Sequence, residues 1–143
     1  MKLVFAISMF FASFDASAYF PSDAALSYLV QSLHGRKEAT FCISIDRKAA
    51  SDAFVTLARS KNIILSPTSQ CHYNKDNHSI THQPSGESAC FMSISDFKKT
   101  SPTTAIASTS GYCGPLASGS GKAVFVLRNK RWVFTESKFE VIS

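Results

Sequence analysis

Four cysteines, Cys42, Cys71, Cys90 and Cys113, constrain this chain more than any other feature. In an exported protein an even set of thiols is normally spent on disulfides, which dictate the segments that must lie together. The N-terminus supplies the export context. Lys2 is a positively charged start, Leu3 to Phe14 an apolar run, and Ala16-Ser17-Ala18 an A-x-A processing site before Tyr19. Residues 1–18 therefore read as a signal peptide cleaved after Ala18, and the mature protein as periplasmic or secreted. The apolar run is short for a span of about 20 residues, and no cysteine near Ala18 suggests lipidation, so no membrane span is expected after cleavage. The competing reading is an uncleaved N-terminal anchor. Two disulfides and no free thiol are expected, with three connectivities open. The similar segments Phe41-Cys42-Ile43-Ser44-Ile45 and Cys90-Phe91-Met92-Ser93-Ile94 read as neighbouring strands, which favours Cys42 with Cys90 and Cys71 with Cys113.

Residues 19–143 amount to one domain. A chain of this size buries about two thirds of the surface its unfolded form exposes, so disulfides reinforce its core without replacing it. There are 15 Lys and Arg against 10 Asp and Glu, and since the leader holds one of each (Lys2, Asp15), the remainder keeps the net +5. That balance favours acidic partners or anionic envelope surfaces. The basic groups Arg36-Lys37, Arg47-Lys48, Lys98-Lys99 and Arg128 with Lys130-Arg131 fall at predicted element ends and read as solvated turn tips. No nucleic-acid motif accompanies them, and no nucleic-acid partner is expected.

Ser22-Asp23 can cap a first helix whose apolar positions Ala25, Leu26, Leu29, Val30 and Leu33 keep the 3.6-residue period up to Gly35. Ala39 to Asp46 alternates as a strand. Ser51-Asp52 opens a second helix with Ala53, Phe54, Leu57 and Ala58 on its inner stripe, and Ile63 to Leu65 resumes as a strand parallel to the first. Cys71 to Ser88 is polar and turn-rich, a long loop or loose hairpin. Cys90 to Phe97, Thr103 to Cys113, Lys122 to Leu127 and Arg131 to Ile142 then read as a strand meander, with Ala117 to Gly121 as a flexible Ser/Gly connector. The predicted fold is α+β: two helices packed on one face of a mixed, mainly antiparallel sheet. Its expected core is Leu26, Leu29, Phe41, Ile43, Phe54, Leu57, Ile64, Phe91, Phe125, Trp132 and Phe134.

Chemistry is harder to find. Cys113-Gly114-Pro115-Leu116 has leucine where a thioredoxin-type redox motif needs its second cysteine. Ser118-Gly119-Ser120-Gly121-Lys122 lacks the first glycine of a phosphate loop and has Ala123 after the lysine. No serine elbow, triad or carboxylate pair stands out: Asp46, Asp52, Asp96, Glu136 and Glu140 are scattered. His72, His78 and His82 are candidate zinc or copper ligands, and a metal-binding or hydrolytic protein built on their loop is the alternative reading. The favoured reading is a non-catalytic binding or inhibitor module without a cofactor, immunity-like, whose partner is another exported or envelope protein. Its expected recognition surface is the Cys71 to Ser88 loop with the Cys113 to Gly121 connector, through Tyr73, His78 and Tyr112.

Residues 22–143 resemble a group of small exported bacterial proteins of uncharacterised function. The likeness rests on the helix-strand-helix-strand half, Gly111-Tyr112-Cys113-Gly114-Pro115-Leu116, the Ser/Gly stretch to Gly121, and a last hairpin with Arg131-Trp132-Val133 and terminal Val141-Ile142-Ser143. Such proteins often end on a Trp, where this chain has Phe139 and Val141. The resemblance implies the fold and brings no catalytic residues with it.

Overall fold

The helical period predicted near the N-terminus becomes α1 (Phe20–Leu33), which buries Ala24, Ala25, Leu26, Leu29 and Leu33. The computed structural model describes residues 20–36 and 39–142, so the signal-peptide segment lies outside the described residues. Helix α1 begins two residues before the expected Ser22 cap, with Pro21 in its first turn, where a missing N–H costs nothing. After α1 come β1 (Thr40–Ile45), β2 (Lys48–Ala49), α2 (Asp52–Ser60) and β3 (Leu65–Pro67). A short 3-10 turn, Thr68–Gln70, leads into the small hairpin of β4 (Cys71–Tyr73) and β5 (Ile80–His82). The meander is β6 (Ala89–Ser101), β7 (Thr104–Gly114), β8 (Ala117–Arg128) and β9 (Arg131–Ile142).

Strand β1 lies between β3 and β6, parallel to both, and β6 through β9 follow antiparallel. The result is the α+β fold with both helices on one face of a mixed, mostly antiparallel sheet. Facing the helices are Phe41, Ile43, Ile94, Ala105, Ala107, Ala123, Phe125 and Trp132, all buried in one cluster with residues of α1 and α2. The alanines Ala105, Ala107 and Ala123 of β7 and β8 are fully buried in this layer, and Phe125 and Trp132 supply its bulk.

Local chemistry fixes the ends of α2. Ser51 Oγ accepts from the Phe54 N–H at 3.2 Å, the N-cap bond. At the other end Asn62 takes a left-handed φ of 62°, while the N–H of Ile63 donates to Ala58 O at 3.0 Å and that of Asn62 to Arg59 O at 2.9 Å. This Schellman turn sends Ile63 inward, and alternation then turns Ile64 out and Leu65 in. Ile64 is accordingly 74 % exposed and Leu57, on the flank of α2, 45 % exposed, which removes both from the expected core. Phe91 leaves it too, since it alternates with buried Cys90 and faces away from the helices.

The cysteines do not pair as Cys42 with Cys90 and Cys71 with Cys113. The bonds are Cys42–Cys71 and Cys90–Cys113. Strands β1 and β6 are neighbours as expected, but their register sets Phe41 beside Cys90 and Cys42 beside Phe91. Side chains alternate along a strand, so Cys42 and Cys90 point to opposite faces. The Ala117 to Gly121 stretch is not a flexible connector either: it is the first part of β8, paired with β7 from Gly114↔Ala117 to Thr109↔Gly121.

Helix α1 also closes the outer edge of β9. One turn apart on its polar side, Asp23, Ser27 and Gln31 reach the strand backbone. Phe134 N–H donates to Ser27 Oγ at 2.7 Å, Trp132 N–H to Asp23 Oδ2 at 3.4 Å, and Gln31 Nε2 donates to Phe134 O at 3.0 Å. The start of that edge, at Trp132 and Phe134, is thereby covered.

Candidate functional site

On the sheet face away from the helices, register and alternation build rows of side chains running across the strands. One row reads Ser66, Cys42, Phe91, Tyr112 and Ser118, from β3 through β1, β6 and β7 to β8. The β4–β5 hairpin is fastened along it. At its base, Nε2 of His82 lies 3.1 Å from Ser66 Oγ, and Cys71 is bonded to Cys42. At its tip, the Tyr112 hydroxyl donates to the carbonyl of His78 at 3.0 Å, and the Tyr73 and Tyr112 rings meet edge to face at 5.9 Å.

The tip is shaped by its own polar side chains. Asn74 Oδ1 accepts from the Asp76 N–H at 2.8 Å and Asn77 Oδ1 from the Ser79 N–H at 3.0 Å, two Asx turns. His78 takes a left-handed φ of 56°, and its Nδ1 lies 2.5 Å from the Tyr73 hydroxyl. Tyr73, His78 and Tyr112, the three residues expected to recognise a partner, thus form one cluster. Desolvation first, then the neighbouring Tyr73 hydroxyl, push the phenol of Tyr112 above its ordinary 10.0.

The next row is Ser44, Ser93, Ser110 and Ser120, one serine from each of β1, β6, β7 and β8. It floors a groove of about 390 Å³ beside the first row, whose lining, including Thr68, Phe91 and Tyr112, carries no charged side chain. Ser93 Oγ and Ser110 Oγ are 2.5 Å apart, while Ser44 and Ser120 make no side-chain hydrogen bond with other described residues. A third row brings a cation to the margin, where Lys122 Nζ donates to Ser108 Oγ at 2.8 Å. Hydroxyls that both donate and accept, beside an aromatic wall, suit a neutral polar ligand surface. The serine row was missed from sequence. Its signal was the strict alternation Ser118-Gly119-Ser120-Gly121, which a flexible linker does not need and a strand with two unlike faces does.

The three histidines named as metal ligands are not brought together. His72 is exposed on β4 opposite Thr81, His78 is tied to Tyr73, and His82 lies among Ser66, Gln70 and Ser85. Among the described residues no three of His, Cys, Asp or Glu gather where they could hold one ion. The Ser66–His82 contact has the atoms of a hydrolytic dyad, but Ser66 is buried at 8 % exposure and Nδ1 of His82 faces the Ser85 hydroxyl at 2.7 Å. With no carboxylate in that position to steady an imidazolium, the pair serves as the hairpin's second fastening. No known protein family, no curated protein and no solved structure matches the chain, so its reading rests on this geometry.

Proposed function

We propose that the chain is an exported, non-catalytic binding module of the inhibitor or immunity type, acting in the periplasm or outside the cell on another exported or envelope protein. One observation carries the reading. Two irregular segments distant in sequence, the β4–β5 hairpin and the β7–β8 turn region, are joined on one sheet face, each held to the sheet by a half-cystine, with Tyr73, His78 and Tyr112 interlocked between them. A surface ordered before binding loses little entropy when a partner docks, and tyrosines are favoured anchors of such surfaces. The two disulfides are consistent with an oxidising compartment, and no described helix is long and apolar enough to cross a membrane. The metal-binding alternative draws no support from three separated imidazoles.

The test is capture from an envelope extract on the immobilised exported protein, compared with the double variant Tyr73→Ala, His78→Ala. The wild type retains an exported or envelope protein, and the variant loses it by about thirtyfold, the size of one hot spot, while circular dichroism shows that the variant still folds. Equal retention by both proteins refutes the placement of the surface, and no retained protein refutes the reading.

A further inference from the structure

Two of the basic groups that look like separate turn tips in the sequence meet at one end of the sheet. Lys98 and Lys99 lie where β6 approaches its turn into β7, with Lys99 level with Ala105 and Phe125. Arg128, Lys130 and Arg131 form the β8–β9 turn, and β8 is tied to the β6–β7 turn by the Leu127 N–H donating to Thr103 O at 2.8 Å. Lys99 Nζ sits 5.8 Å from the Trp132 ring centre and 6.0 Å from that of Phe20. All five cations are exposed. Asp23 answers Arg131 at 3.5 Å, and Lys98, Arg128 and Lys130 make no ion pair with described residues.

The N-terminus of α1 belongs to this same end. Phe20, its first residue, packs on Trp132 at 4.7 Å and on Phe97 at 5.5 Å. The apolar segment Leu3 to Phe14 joins the domain here through only five residues, Asp15 to Tyr19, a spacer that reaches at most about 18 Å. Before cleavage after Ala18, this end is the part of the domain nearest the apolar segment.

We infer that this end is a peripheral membrane-binding surface selective for anionic phospholipid. Basic side chains near an anionic leaflet gain from its surface potential, each raising partition by about fivefold. This surface is at the opposite end of the sheet from the Tyr73–Tyr112 cluster, so the inference goes beyond the proposed protein-binding role and stands or falls separately.

The experiment is flotation of the exported protein with vesicles of phosphatidylcholine alone or containing phosphatidylglycerol. The readout is the ratio of the two partition coefficients. The anionic vesicles are preferred, and raising the salt removes the preference. The triple variant Lys98→Gln, Arg128→Gln, Lys130→Gln lowers the preference by about a hundredfold. A control triple, Lys48→Gln, Arg59→Gln, Lys75→Gln, changes net charge equally and keeps most of it. Circular dichroism melts confirm that both variants fold. Equal binding to the two vesicle types, or equal loss in the two triple variants, overturns the inference. So does equal anionic preference in the wild type and the Lys98 triple variant.

Discussion

The two ends of the sheet are held by different means. At the end formed by the β6–β7 and β8–β9 turns, large aromatic rings supply the cohesion: Phe20 packs on both Phe97 and Trp132, and Phe125 is fully buried in the same core. No cysteine lies there. At the other end the facing positions on β7 and β8 are glycines, Gly111 opposite Gly119, with Thr109 opposite Gly121, and such residues bury little apolar area. Both disulfides are at this end, Cys42–Cys71 and Cys90–Cys113. Covalent links thus reinforce the end at which β7 and β8 carry side chains too small to pack, and that end carries the proposed recognition surface. The packed end carries charge on its rim.

The largest expected effect breaks the packed end. Trp132 is 3 % exposed, and Trp132→Ala removes a ring from the Phe20–Phe97 cluster and leaves a cavity, costing about 3–5 kcal/mol. Chemical denaturation checks it. A loss below about 1 kcal/mol would mean that cohesion there comes from elsewhere.

The second prediction concerns the stapled end. Cys42 and Cys71 are 29 residues apart, and cross-linking a loop of that length disfavours the unfolded chain by about 3–4 kcal/mol. The variant Cys42→Ala, Cys71→Ala therefore melts at a lower temperature and loses envelope-protein capture, because the hairpin then hangs on the His82–Ser66 contact and the tyrosine pair. Retained capture in a destabilised protein would show that the hairpin's order does not depend on its staple. Peptide mapping without reduction should yield Cys42 with Cys71 and Cys90 with Cys113.

How far each end was legible from sequence follows the same division. Helical period, strand alternation and turn residues sufficed where hydrophobic packing decides, and they located α1, α2, the parallel β1–β3 crossover and the meander. They failed where register decides. The likeness of the Cys42 and Cys90 segments correctly suggested neighbouring strands, yet a one-residue offset between the cysteines sends them to opposite faces. Periodicity does not carry that offset. Tyr73, His78 and Tyr112 were legible as residues on irregular segments, and their meeting depends on the hairpin folding back over the sheet. The serine row needs four strands in register, and one strand alone reveals only its alternation.

A smaller effect sharpens the comparison at the charged end. Asn129 and Lys130 form the β8–β9 turn with φ of 50° and 64°, both left-handed as a type I′ turn requires. Lysine tolerates that conformation less well than glycine, so Lys130→Gly stabilises by about 0.5–1 kcal/mol while removing one of the five cations. The substitution raises the melting temperature and lowers the preference for anionic vesicles, which separates the stability of this end from its charge. If both quantities fell together, the turn itself would be what the membrane surface recognises.

The smallest effect lies in the alkaline limb of the stability profile. Folding raises the Tyr112 phenol above 10.0 by desolvation and by its Tyr73 neighbour, so the folded state holds this proton more tightly than the unfolded chain does. The resulting contribution is fully present below the unfolded value near 10 and is lost as pH rises through the higher folded value. Tyr112→Phe removes the titration together with the hydrogen bond to His78 O. The lost hydrogen bond makes wild type the more stable of the two at pH 8, and its advantage shrinks as pH rises past 10. The charge developing on Tyr112 is formed beside Tyr73 at the rim of an uncharged groove, where little compensates it. Parallel denaturation curves from pH 8 upward through pH 10 decide the matter: a gap between the two proteins that stayed constant with pH would mean that Tyr112 titrates alike in both states, its hydrogen bond to His78 O contributing the same amount at every pH.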